Sequence, residues 1–138
     1  MKKHIYQLLI LLLPIITFIS CEKNEEIDTK ETIEKISGRW AVQENSTVFG
    51  NSNYAVDILK ISNTENQVEI RNFYHLSFTI STIATIDGLN INIPEQIVSG
   101  QTVKGSGKIN SNLNRINIDF TADDGSGDLD IVNLVMSK

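Results

Sequence analysis

From position 38 onward apolar and polar side chains alternate along this chain, the two-residue period of strands with one buried and one wetted face. The clearest case puts Ile116, Ile118, Phe120 and Ala122 inward and Arg115, Asn117 and Asp119 outward. Phe78, Ile80, Thr82, Ala84 and Ile86 form a second inward row, and Leu89, Ile91 and Ile93 a third, with Asn90 and Asn92 facing water. Asp87-Gly88 between these two rows reads as a type I′ hairpin turn, because both residue types tolerate positive φ. Strands are expected at 39–44, 54–62, 67–73, 78–86, 89–93, 102–110, 113–122 and 128–137, with a short one at 96–98. Gly105 and Gly107 remove two side chains from the inward row of their strand, as at a sharp barrel corner. Short strands between evenly spaced turns predict an all-β fold. The expected form is a small antiparallel meander barrel of about eight strands, the alternative a β-sandwich.

The first part of the chain has a different pattern. Residues 8–19 are apolar apart from Pro14 and Thr17, and Lys2 and Lys3 precede them. That length suits a signal peptide better than a membrane span, which needs about 20 apolar residues. The run ends in Phe18-Ile19-Ser20-Cys21, which resembles a lipobox, with Phe18 in place of the usual Leu. The resemblance implies cleavage before Cys21, which then carries a diacylglycerol and an N-acyl chain. More than one acyl chain is what stable membrane attachment requires. The organisation expected is therefore a lipoprotein signal peptide at 1–20, a charged tether at 21–37 and a barrel at 38–138.

Within the tether, nine of the fourteen residues 22–35 are charged, too polar a segment to order itself by burial. It is either a plain spacer or, in its resemblance to acidic signals that follow the lipidated cysteine in Bacteroidota, an address for the outer face of the outer membrane. Its last part, Thr29–Ile36, can form a short helix with Ile33 and Ile36 on one face. Asp28 or Thr29 would cap that helix and Gly38 would end it.

Composition narrows the chemistry. Cys21 is the only cysteine, so the exported domain has no disulfide and rests on its core. Removing residues 1–20 leaves 10 basic against 17 acidic residues, a net charge of −7. That sign argues against nucleic acid as a partner. One histidine remains, His75, expected in a loop and too few for a transition-metal site. Nothing gives a serine the strained elbow a Ser-His-Asp site needs. The stretch 100–106 lacks the lysine and the helix of a P-loop. The acids Glu44, Asp57, Glu69 and Asp119 fall on the wetted faces of strands, away from any shared cleft of the kind glycoside hydrolysis needs. A non-catalytic protein without a cofactor is expected.

Two weaker constellations remain. Asp123, Asp124 and Asp128 surround glycines and could contribute oxygens to Ca²⁺, although the spacing is not that of an EF-hand and a solvated hairpin explains it better. Phe49, Tyr54, Phe73 and Tyr74 lie near predicted strand ends, where they could rim a barrel mouth and stack a ligand.

Gly38-Arg39-Trp40 resembles the Gly-x-Trp start of lipocalins, in which the Trp plugs the closed barrel end. Asn72-Phe73-Tyr74, residues 87–97, Gly105-Ser106-Gly107-Lys108-Ile109 and residues 116–121 are similar in order and spacing to a group of small, mostly uncharacterised lipocalin-like lipoproteins of Bacteroidota. The resemblance implies the barrel fold; the function expected is that of a lipid-anchored, monomeric module at the outer membrane that holds a small apolar molecule or glycan at the barrel mouth. The alternative is a surface interaction or structural protein, or an inhibitor, with a filled core. Trp40, Phe78, Phe120 and many isoleucines favour a mostly filled interior. A ligand module should show an open cavity lined by Phe and Tyr, an interaction protein an exposed apolar patch instead.

Overall fold

A computed structural model describes residues 27–138. The signal segment, Cys21 and the acidic residues directly after it lie outside the described residues. A helix, α1 (Thr29–Ile36), leads into eight strands: β1 (Gly38–Ser46), β2 (Gly50–Lys60), β3 (Gln67–Arg71), β4 (Ser81–Asp87), β5 (Asn90–Val98), β6 (Gln101–Ile109), β7 (Arg115–Asp123) and β8 (Asp130–Ser137). Each strand pairs antiparallel with the next, and β1 closes on β8 from Ala41↔Ser137 to Ser46↔Val132. The closure decides for the expected meander barrel against a sandwich.

The helix forms as expected. Asp28 caps it by accepting from Lys30 N at 3.0 Å, and Ile33 and Ile36 share its buried face. It belongs to the folded body rather than to a solvated spacer. Trp40 is fully buried beneath it and donates from Nε1 to Ile36 O at 2.7 Å. Lys138 Nζ, donating to Lys35 O and Ser37 O, ties the C-terminus to the same end. Gly88 N donates to Thr29 Oγ1 there as well. One end of the barrel is therefore shut by α1, and the β1–β2, β3–β4, β5–β6 and β7–β8 connections form the other.

Several boundaries differ from those expected, each for a local reason. The strand expected at 96–98 is the end of β5, which shifts register between Ile93 and Gln96. Pro94 has no N–H to give a ladder, and the Gln96 amide takes its place, accepting from Ile83 N at 2.9 Å and donating to Ile83 O at 2.8 Å. The β4–β5 loop is Gly88-Leu89, because Asp87 pairs with Asn90. Positive φ falls on Gly88 and not on Leu89, which is the pattern of a II′ rather than a I′ turn. Phe78 is not in the core. The chain leaves β3 at Arg71, turns through residues 72–80, and places Phe78 on the outer surface with the Arg39 guanidinium 5.0 Å from its ring.

Gly105 and Gly107 do sit on the inward row of β6, opposite Phe120 and Ile118. A Cβ at Gly105 would fall on Asp119 O and Phe120 Cβ, and one at Gly107 on Asn117 O. The missing side chains thus let β6 and β7 approach closely. Among the described residues no helix is long and apolar enough to cross a membrane.

Candidate functional site

The end opposite α1 is not an open mouth. The β3–β4 connection folds down into it as a 3-10 turn, Phe73–His75, and buries Phe73 and Tyr74. Phe73 lies 4.6 Å from the Phe120 ring, and Tyr74 meets Phe120 edge-on at 5.6 Å. The insertion stores backbone strain. Asn72, Tyr74 and His75 all have left-handed φ (62°, 54° and 55°), which costs a non-glycine residue about 1–3 kcal/mol.

Four contacts hold the strained turn in place. Asn72 Nδ2 donates to Ala55 O at 2.8 Å, the hydroxyl of Tyr74 donates to Asp130 Oδ2 at 2.5 Å, His75 stacks on Tyr54 at 4.9 Å, and Phe73 packs on Phe120. The interior that a ligand would need is filled by the chain's own side chains.

Asp130 is the hub of this end. It opens β8 with its side chain inward and accepts from Ser46 Oγ (2.6 Å), Thr47 Oγ1 (3.0 Å) and Val48 N (3.1 Å) as well as from Tyr74. Burial alone would push its pKa up. The hydrogen bonds from Ser46, Tyr74, Val48 and Thr47 outweigh that and hold the carboxyl below the usual range. Sequence reading missed Asp130 because it stands at the end of an acidic run that looks like a solvated turn. The available signal was its parity with Val132, Leu134 and Met136, the inward row of β8.

Glu44 was expected on the wetted face and is instead buried, 6 % exposed, because it shares the inward row of β1 with Trp40 and Val42. Tyr54 OH and Ser52 Oγ donate to its carboxylate. Desolvation raises its pKa despite those two bonds. Repulsion from Asp130 adds to the rise, and His75 opposes it. Burial, followed by the bond to Glu44, pushes the Tyr54 hydroxyl strongly upward. The other three acids are on the outer wall as expected, Asp57 beside Arg39, Glu69 beside Arg71 and Asp119 accepting from Asn133.

The expected rim aromatics separate into three situations. Phe73 and Tyr74 are core, Tyr54 is half-buried against it, and Phe49 alone stands out, 74 % exposed. Phe49 borders a recess of about 270 Å³ together with Val48, Tyr74, Gln101, Ser126 and the carboxylates of Asp124, Asp128 and Asp130. Asp123 and Asp124 accept from Gly125 N and Ser126 N within their own turn. Among the described residues no three His, Cys, Asp or Glu side chains are grouped to hold a metal ion.

No family model matches the chain, and no curated protein matches it. Among solved structures it is similar to a redesigned β-barrel, with a TM-score of 0.56 at 13 % identity over 78 % of this chain and 94 % of that one. At that identity the likeness is one of fold alone, and the fold it supports is the closed barrel described above.

Proposed function

We propose that this protein is a lipoprotein of the cell envelope, anchored to the outer membrane by lipid on Cys21, and that it works as a monomeric, non-catalytic interaction module through the barrel end farthest from the anchor. One observation carries the reading: Phe73 and Tyr74 fill the barrel mouth, while Phe49 and its neighbours are left on the rim. A packed interior favours surface recognition over a small molecule held inside. The chain enters the barrel body at α1, so the rim stands about 20–25 Å farther out, the height of tilted nine-residue strands. Neither buried carboxylate is free for catalysis, since Asp130 is saturated by four donors and Glu44 is held by Tyr54 and Ser52.

Trp40 is the only tryptophan and lies inside the barrel, so its fluorescence reports on the interior. Titration with palmitate, haem or a mixture of oligosaccharides is expected to leave its intensity and wavelength unchanged. Saturable quenching or a spectral shift would mean that the turn at residues 72–77 gives way to an internal ligand, and the interaction reading would fall.

A further inference from the structure

The rim exposes more apolar surface than a filled barrel needs. Val48, Leu129 and Ile131 are each about half exposed, and Phe49 more so. Val48 and Phe49 lie in the β1–β2 connection, Leu129 ends the β7–β8 connection and Ile131 is beside it at the start of β8. There Thr47 N donates to Ile131 O at 3.1 Å and Ile131 N donates to Thr47 Oγ1 at 2.9 Å. Scattered apolar residues on a surface are ordinary, but four of them at one barrel end, on segments joined by the Thr47–Ile131 bonds, mark a candidate interaction surface.

The bracing fixes that surface in advance. Val48 N donates to Asp130, and Phe49 N donates to Ser46 Oγ at 2.8 Å, so the loop presenting Phe49 has its backbone tied to buried groups. A loop backbone held this way loses little freedom when a partner docks. Beside it, the 270 Å³ recess has three carboxylates among its lining residues and no lysine, arginine or histidine. Asp130 is committed to internal donors, which leaves Asp124 and Asp128, both exposed, to meet a ligand.

We infer that this rim docks a cationic amphipathic peptide segment of a partner protein. A lysine or arginine enters the recess beside Asp124 and Asp128, and its apolar neighbours lie on Val48, Phe49, Leu129 and Ile131. Charge selects this occupant. A neutral or acidic segment would desolvate two carboxylates with no counter-charge, and an anionic lipid surface would be repelled. The inference rests on the reading of the rim as the working surface and names the chemistry that surface recognises.

The test is fluorescence anisotropy of a short labelled peptide of alternating lysine and leucine, titrated with the full chain in non-ionic detergent. Differences between variants remove the contribution of peptide taken up by micelles. Saturable binding is expected, weaker at higher salt. Phe49→Ser, and separately Asp124→Asn with Asp128→Asn, should each weaken it at least about tenfold, as loss of an anchor does. Asp119→Asn on the outer wall should bind like the parent.

Absence of binding, equal binding of a glutamate–leucine peptide, or binding untouched by the rim variants would overturn the inference. So would capture by phosphatidylcholine vesicles that Phe49→Ser abolishes, or a dimer of this chain that Phe49→Ser dissolves. A chain that stays on the envelope through Cys21 and keeps its Trp40 fluorescence, yet fails this titration, overturns the partner chemistry and leaves the anchored module standing.

Discussion

Trp40→Ala is expected to cost about 3–5 kcal/mol, the range for emptying a large aromatic site in a packed core. Trp40 is fully buried where α1 shuts the barrel, and its indole N–H is the partner of Ile36 O at 2.7 Å. Truncation opens a cavity, strands that carbonyl, and loosens the seat of Ile33 and Ile36. Without a disulfide among the described residues, nothing covalent compensates. Since domains of this size are stable by about 5–15 kcal/mol in total, the variant should lose about a fifth or more of its margin. Trp40→Phe keeps most of the volume and gives up only the hydrogen bond, so about 1–3 kcal/mol is expected. Urea unfolding followed by circular dichroism gives both numbers. A cost under about 1 kcal/mol for the alanine variant would mean that the helix end is not sealed by this residue.

Asp130→Ala is the second large effect, at the opposite end. It leaves the hydroxyls of Ser46, Thr47 and Tyr74 and the N–H of Val48 without their shared acceptor. Two loops and the strained turn lose their common fastening, and a cost of about 2–4 kcal/mol is expected, since buried donors left unmade are the expensive case. Amide exchange at residues 47–49 and 73–75 should quicken more than exchange in β6 and β7.

The pH dependence has a definite sign. Hydrogen bonding lowers the folded-state pKa of Asp130, so its contribution is present above the ordinary carboxyl pKa of about 3.9 and is lost as pH falls through the lower folded value. Asp130→Asn lacks that dependence. The stability gap between parent and variant should narrow below about pH 4, and a gap constant from neutral to strongly acid pH would contradict the hub.

What was legible in the sequence follows from period and punctuation. Alternation located β7 and most of β4 and β5 because one face is wet, and Asp28, Ile33 and Ile36 located α1 because a helix needs a cap and a stripe. Phe78 was misplaced because its row continues the parity of β4. Only the backbone shows that the chain turns at Asn72 and re-enters the sheet at Ser81. The filling of the mouth was equally hidden, since no local rule predicts three left-handed non-glycine residues in succession of four. Glu44 was placed on a wetted strand face and Asp130 was passed over at the end of an acidic turn, although both lie on inward rows. Their burial depends on donors from distant strands and loops, Tyr54, Ser46 and Tyr74, which only the closed barrel brings together.

The anchor is tested most directly by Cys21→Ser, with the parent and the variant expressed in the same cells and the envelopes separated from soluble fractions. The parent should sediment with the outer membrane and the variant should appear in the soluble or secreted fraction, because no second hydrophobic attachment is expected once residues 1–20 are removed. A serine variant that remains with the envelopes as the parent does would contradict lipid attachment at position 21.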